Sequence, residues 1–442
     1  MNSTRPLAHE REIPSQPSRK APCALPDTPL AKVRPGIDAC VHCGFCLQSC
    51  PTYLTLEDEN DSPRGRILLM RSALEGSLAI EDPSLETHID RCLGCRACET
   101  VCPSGVPYGH LLEATRATIA EKRKLPFAAR AILWVFERPV ALTFAMFMSR
   151  VLRAMRIPAL LSRMPGRFGF AMAMLASTGS DGARTSYVAL GDGSRGTVAL
   201  LLGCVMEGLL APTNRATART LTVNGYSIVD APGQQCCGAL HAHAGDLRGA
   251  RKLACANIAA FERSNTDYVC ANAAGCGAMM KEYAHLLAED SQWAERAARV
   301  SSRVRDVSEL LVAAGPKRGA PVSAKATYDA PCHLLHAQRI ADPPLAILRA
   351  IPQLELVPLE GAEHCCGAAG IYNLVEPDTS NMVLAPKLRN IIATGASLVA
   401  TGNPGCLMQI GAGLRRASSA TRVVHPVDLL DRAYAGLNDA ER

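Results

Sequence analysis

The stretch Cys40-Val-His-Cys43-Gly-Phe-Cys46-Leu-Gln-Ser-Cys50-Pro51 has the spacing C-x2-C-x2-C-x3-C-P, and Cys92-Leu-Gly-Cys95-Arg-Ala-Cys98-Glu-Thr-Val-Cys102-Pro103 repeats it. In this pattern three close thiolates reach three irons of one cubane, while the fourth cysteine turns away to ligate the other cluster. One [4Fe–4S] cluster is therefore expected on Cys40, Cys43, Cys46 and Cys102, and a second on Cys92, Cys95, Cys98 and Cys50. A zinc site would need four ligands, usually as two C-x2-C pairs; two four-cysteine runs each closed by proline do not fit that description.

Working outward, 41 residues separate Cys50 from Cys92, more than a compact bacterial ferredoxin needs. A helical ferredoxin-like module is expected over residues 36–124, with a helix from Arg66 to Gly76. Before it, residues 1–35 are rich in proline and charge and read as a disordered arm holding Cys23. Met1 to Lys20 has no apolar run, so no secretory leader is expected and the thiols are read as belonging to a reducing, cytoplasmic compartment. The whole chain has 442 residues, 48% hydrophobic and 20% charged, which excludes global disorder and a rod. Forty-seven basic against 41 acidic residues give a net charge of +6, too small an excess to argue for nucleic acid. The 19 cysteines are an odd number and cannot all be paired as disulfides.

Residues 181–442 alternate short apolar runs with helical patterns, as βα units do. They also contain a duplication. Cys204, Cys236, Cys237 and Cys276 recur as Cys332, Cys365, Cys366 and Cys406 at offsets of 128, 129, 129 and 130. Gly238 and Gly367 follow the paired cysteines, Gly275 and Gly405 precede the last ones, and Val307-Ser-Glu-Leu-Leu is echoed by Pro426-Val-Asp-Leu-Leu. Two similar α/β domains facing one another are expected, over residues 181–318 and 319–442. Strands are expected at Thr197 to Gly203, Tyr226 to Asp230 and Asp267 to Val269, then at Ala326 to Pro331, Leu354 to Leu359 and Ser397 to Ala400. Ligands gather beyond the carboxyl ends of parallel strands, so each set of thiols should converge there.

The two ferredoxin-type runs, Ser62-Pro-Arg-Gly-Arg66, Cys236-Cys-Gly238, Cys365-Cys-Gly367, Asp329-Ala-Pro-Cys-His-Leu334 and Gly402-Asn-Pro-Gly-Cys406 together resemble the glycolate oxidase iron–sulfur subunits, from about Asp38 to Leu430. The resemblance implies an electron-transfer subunit of a complex that oxidises glycolate to glyoxylate, and D-lactate to pyruvate in some members. It implies FAD on a partner subunit, quinone or another acceptor downstream, and no catalytic residue in this chain. The related repeats of heterodisulfide reductase, and of the iron–sulfur subunit of anaerobic glycerol-3-phosphate dehydrogenase, imply alternatives. One is a thiol–disulfide reductase acting through Cys236, Cys237, Cys365 and Cys366; another is a subunit serving a lactate or glycerol-3-phosphate dehydrogenase. A further cluster of five cysteines is implied for the first repeat, with Cys270 joining Cys204, Cys236, Cys237 and Cys276. In the second repeat Ala400 stands in the place of Cys270, which leaves Cys332, Cys365, Cys366 and Cys406.

Gly191-Asp-Gly-Ser-Arg-Gly196 satisfies G-x-G-x-x-G but precedes a strand pattern, so it reads as a turn. With no nucleotide or flavin fingerprint, two-electron oxidation of a hydroxy acid calls for a cofactor on another chain. Residues 125–180 hold six Phe, six Met, seven Arg and a single acid, Glu137. Their uncharged runs, Pro139 to Ser149 and Phe168 to Ser180, fall short of the roughly twenty residues that span a bilayer. This helical connector is expected either to lie on the inner face of an anionic membrane, with Arg150, Arg153 and Arg156 at helical spacing, or to pack against a protein surface. His333 and His364 stand next to cysteines as candidate hydrogen-bond donors to sulfur or proton carriers; His241 and His243 are weaker candidates and His42 is a spacer. Arg64 and Arg66 are read either as partners of cluster charge or as ordinary helix-start residues. Cys23 and Cys255 are read as plain thiols.

Overall fold

The computed structural model describes residues 23–123, 125–179, 189 and 191–440. Residues 1–22 of the expected arm, and the junction 180–188 with 190, lie outside the described residues. The described part of the arm is folded, which corrects the expectation for residues 23–35. Their prolines start helices instead of breaking them: Pro29 and Pro35 occupy the first turns of Pro29–Lys32 and Arg34–Asp38, where a missing N–H costs nothing. Thr28 caps the first of these helices, and the Leu30 amide donates to Thr118 Oγ1 at 3.0 Å. Leu30 itself is fully buried beside Ile37, Met70, Leu85 and Leu111.

This module is helical throughout. The two prolines that close the cysteine runs act differently, since Pro51 opens the helix Pro51–Leu56 with Cys50 as its N-cap, whereas Pro103 lies in the loop before Tyr108–Lys122. The helix expected from Arg66 runs Pro63–Leu74, started by Ser62 Oγ accepting the Gly65 amide at 3.0 Å.

The duplicated region forms two four-stranded parallel sheets. In the first, β1 (Thr197–Leu200), β2 (Ser227–Val229), β3 (Tyr268–Ala271) and β4 (Val304–Asp306) take the order β2-β1-β3-β4. In the second, β5 (Ala324–Tyr328), β6 (Leu354–Val357), β7 (Leu398–Ala400) and β8 (Arg422–Val424) take the order β6-β5-β7-β8, the same topology. Val198 pairs with Ile228 and Tyr268, as Ala326 pairs with Leu356 and Leu398. Six strands lie where the apolar runs are. The edge strands β4 and β8 have three residues each and include Arg305, Asp306 and Arg422, so they carry no apolar run to find.

The repeats share a core. Val198, Leu221 and Leu310 from the first pack in one cluster with Ala326, Leu430 and Tyr434 from the second. The last helix, Pro426–Ala440, lies against Ala211–Val223 of the first repeat, fixed by Arg219 Nε and Nη2 on the Asp431 carboxylate at 2.9 and 2.6 Å. The connector is helical too, as Phe127–Glu137, Pro139–Ala154, Ile157–Leu161 and Gly166–Ser177. Its last helix enters the second repeat's core through Phe170, Ala173 and Met174. The helix Pro139–Ala154 touches the first repeat where Met146 covers Gly208, so closely that a Cβ there would stand 2.5 Å from the sulfur. The stretch Gly191 to Gly196 is a turn running straight into β1, with Gly193 and Gly196 at φ +64° and +104°.

Candidate metal and electron-transfer centres

Each cysteine loop of the helical module is shaped by two left-handed residues at matching places. His42 and Gly94 precede the second cysteine, at φ 52° and 61°; Gly44 and Arg96 follow it, at 88° and 63°. Such alternation turns successive amides toward a common centre, a concavity that favours anions. Cys40, Cys43, Cys46 and Cys102 line one cavity of about 420 Å³ counting its open mouth, and Cys98 of the second set reaches its wall. Cys43 is exposed at its rim, as are Val41 and Phe45.

The second set lies deeper. Cys50, Cys92 and Cys98 are buried, and burial pushes the Cys95 and Cys98 thiols well above their ordinary range. A metal is what would keep such thiols deprotonated. Tyr108 donates its hydroxyl to Cys92 Sγ at 3.7 Å. Arg66, wholly buried, points Nη1 at Cys50 Sγ (4.0 Å) and Thr52 Oγ1 (3.1 Å), with Nη2 on Asp61 (3.1 Å) and Nε on the His88 carbonyl (2.6 Å). Burial works against its charge, but Cys92, Tyr108, Cys50 and Asp61 outweigh it and raise its pKa. Arg66 thus faces the second set, whereas Arg64 pairs with Glu59 at 2.7 Å and reaches only the His42 carbonyl of the first loop.

In the repeats the thiols converge beyond the strand ends. Cys204 and Cys236 sulfurs lie 3.5 Å apart, Cys236 also meets Cys237, and Cys237 meets Cys276. Cys366 and Cys406 lie 3.3 Å apart, with Cys365 joining Cys366 to Cys332. Hydrogen bonds from Cys204 and Cys237 hold Cys236 well below the ordinary thiol range, and its neighbours are raised. Cys270 does not join them, contrary to the five-cysteine expectation. It sits within β3, and strand side chains alternate, so Cys270 faces the shared core while Val269 faces the other side. Among the described residues no three cysteine sulfurs lie within 4.8 Å of one another, as one tetrahedral zinc with bonds of about 2.3 Å would require. Asp58, Asp61 and His88 do lie that close, but Arg66 and Arg91 already occupy the Asp61 carboxylate.

The sets are contiguous. Cys95 and Cys332 pack on Cys365 in one apolar cluster with Leu93 and Tyr372, whose hydroxyl donates to the Arg91 carbonyl at 2.9 Å. Between the repeats, Asn403 Oδ1 accepts the amide of Gly275, beside Cys276, at 3.2 Å, and its Nδ2 donates to Cys406 Sγ at 3.5 Å. His333 Nε2 donates to the Gly94 carbonyl at 3.0 Å; burial, then His243, lowers its pKa to about 4, so it is neutral at pH 7. It therefore ties the second repeat to a cluster loop. His364 lies half-exposed beside Glu363, away from such a role. His243 pairs with Glu113 at 3.0 Å, and His241 is buried with neither ring nitrogen partnered. Cys23 packs on the helical module's core and Cys255 on the first repeat's. Tyr108 and His336, which meets Thr100 Oγ1 at 3.1 Å, escaped the sequence reading because each approaches the site across more than one turn of chain; Asn403 stands only three residues before Cys406.

Residues 36–106 match the family model of the 4Fe-4S dicluster domain, and residues 198–281 and 326–411 each match that of the cysteine-rich domain. These define an iron–sulfur protein with a duplicated thiol-bearing half. The chain is 38% identical over 411 residues to the probable glycolate oxidase iron-sulfur subunit of Bacillus subtilis, covering 88% of this chain and 92% of that one. It is 32% identical over 411 residues to the glycolate oxidase iron-sulfur subunit of Escherichia coli, covering 89% and 93%. Lactate utilization protein A of Shouchella clausii is 30% identical over 236 residues, 53% of this chain and 98% of that one. The chain belongs to the family of glycolate oxidase iron–sulfur subunits, electron-transfer subunits of an oxidoreductase.

Proposed function

We propose that this chain carries single electrons from the FAD of a partner subunit, which oxidises glycolate to glyoxylate and accepts D-lactate as a second substrate, to quinone or another acceptor. Two [4Fe–4S] clusters do this, one on Cys40, Cys43, Cys46 and Cys102, the other on Cys92, Cys95, Cys98 and Cys50. The observation that carries the reading is that Cys102 of the second run, with Cys98 beside it, lines the same cavity as Cys40, Cys43 and Cys46, as ligand exchange between the two runs requires. Electrons enter at the exposed first loop, where Val41 and Phe45 are 67% and 66% exposed, and leave the second cluster through Cys95 toward Cys365. The repeat thiols Cys204, Cys236, Cys237, Cys276, Cys332, Cys365, Cys366 and Cys406 are candidates for a further centre. Disulfide reduction is the weaker reading, because Cys236, Cys237, Cys365 and Cys366 are each at most 6% exposed and meet no substrate from solvent.

The connector supports placement at the cytoplasmic face of the membrane. No single described helix is long and apolar enough to cross one. Yet Pro139–Ala154 buries none of its side chains, and Val140, Phe144, Phe147 and Met155 are exposed alongside Arg150 and Arg156. An apolar face edged with arginine suits an anionic lipid surface.

Iron and acid-labile sulfide on anaerobically purified protein test the core of this reading. About eight irons per chain with two reduced-state EPR signals are expected, and Cys43→Ser should remove one signal and leave the other. Fewer than about four irons would sink it.

A further inference from the structure

The two repeats are built alike but their thiol niches differ in two respects. Beside Cys366 and Cys406 lies a buried pair, Lys387 and Asp329, at 2.5 Å. All of its polar atoms are used: Lys387 Nζ also donates to the carbonyls of Gly361 and Ala362, at 2.9 and 3.0 Å, and Asp329 accepts from Thr401 at 2.9 Å. The matching places in the first repeat are the apolar Leu201 and the buried Asn257, whose Nδ2 donates to the Cys236 carbonyl at 2.9 Å. There, five residues after Cys236, stands His241, where the second repeat has Gly370.

His241 is fully buried, and neither Nδ1 nor Nε2 has a hydrogen-bond partner. Buried polar groups are satisfied in nearly all folded proteins, and an exception needs an explanation. Its ring is pinned, since a Cβ on Gly249 would stand 2.5 Å from its Cδ2. It rides on the helix Ala239–His243, which starts directly after the Cys-Cys-Gly turn with Gly238 at φ +90°. Its ionisable neighbours include Cys236 and Glu137, the latter at the end of the first connector helix.

We propose that the first repeat binds an iron–sulfur centre of mixed ligation, with thiolates from Cys204, Cys236, Cys237 and Cys276 and an imidazole nitrogen from His241. Chained sulfurs that do not close around one point suit several irons better than one ion. The imidazole supplies the ligand that Cys270, turned into the core, does not. Nitrogen ligation raises an iron–sulfur potential relative to all-thiolate ligation, which suits a centre late in a relay. It also places that centre beside the apolar connector.

The test is pulsed EPR with nitrogen hyperfine detection, and Mössbauer spectroscopy, on ⁵⁷Fe-loaded full-length protein kept anaerobic. About twelve irons per chain are expected, with a third signal strongly coupled to ¹⁴N. His241→Ala should abolish that coupling and Cys236→Ser the signal, while both cubane signals persist and report that the variants are folded. His241→Gln, of similar size but a poor iron ligand, should behave as His241→Ala does. Cubane signals without a third centre overturn the proposal and leave the electron-carrier reading standing. So does a third signal without nitrogen coupling, one unchanged in His241→Ala, or one lost in Cys366→Ser but kept in Cys236→Ser. Zinc in place of iron at this site overturns it as well. A third centre without the cubanes would uphold it and strike the carrier reading instead.

Discussion

At the scale of single residues, position relative to a strand or ring decides chemistry more than residue type does. His425 shows this. It is buried, its Nε2 donates to the Asn272 carbonyl at 2.9 Å, and its Nδ1 accepts the Val427 amide at 3.1 Å. The neutral ring is satisfied and the protonated one is not; burial lowers its pKa to about 4. On acidification the unfolded chain, with a His pKa of about 6.5, takes the proton first, so stability is full above that pH and is lost as pH falls toward 4. Asp428, raised to about 7 by burial, works in the opposite sense. Comparing His425→Gln with the parent isolates the histidine. Between pH 7 and pH 5 the parent should lose about 2 kcal/mol more in urea unfolding than the variant, and equal losses would remove the assignment. Tyr108→Phe deletes one donor to Cys92 Sγ. A hydrogen bond worth about 1 kcal/mol that favours the reduced cluster corresponds to about 40 mV, so redox titration by EPR should find the second cluster's potential lower by that amount and the first unmoved. The eight ferredoxin-type cysteines are legible in sequence because their spacing is local. Cys270 is not, because spacing cannot say which face of a strand a side chain takes. Tyr108 is not, because its sulfur partner comes from folding; for Asn403 the sulfur is three residues away, and what folding adds is the Gly275 amide.

At the scale of elements, helices, central strands and the apolar edges β2 and β6 announced themselves, and the charged edges β4 and β8 did not. β1, β3, β5 and β7 are buried on both faces and read as apolar runs. The edge strands β4 and β8 borrow their regularity from one neighbour, so three residues with two charges suffice in β4. Residues 23–35 misled for the opposite reason: proline-rich composition suggests disorder, but a proline in a helix's first turn is an aid to folding. In the connector, Phe127–Glu137 and Pro139–Ala154 meet at 105°, so they cannot act as one straight span. If the exposed face rests on lipid, Phe144→Ser with Phe147→Ser should weaken binding to anionic vesicles about ten-fold or more, with iron content unchanged. Binding that is equal on neutral vesicles, or unchanged in the double variant, would move this face to a protein partner.

At the scale of the whole molecule, the duplication has produced one body. Leu430 is fully buried in a core that both repeats build. Leu430→Ala should cost about 2–5 kcal/mol, and hydrogen exchange should quicken in β1 and β3 as well as in β5 and β7. Exchange that changes only in the second repeat would show two separable domains. The doubled topology was legible from matching cysteine offsets, whereas the shared core was not, since an apolar residue does not declare its partner.

That last helix, Pro426–Ala440, has a consequence in time. Translation proceeds from the N terminus, so the helix that covers Ala211–Val223 emerges from the ribosome only after all the strands of both repeats. Until then the core around Val198, Leu221 and Leu310 lacks the part of its cover that Leu430 and Tyr434 supply, and the first repeat shows apolar surface to solvent. Docking of that helix covers it. The order of synthesis therefore leaves the first repeat dependent, while the second is being made, on whatever shields apolar surface on a nascent chain.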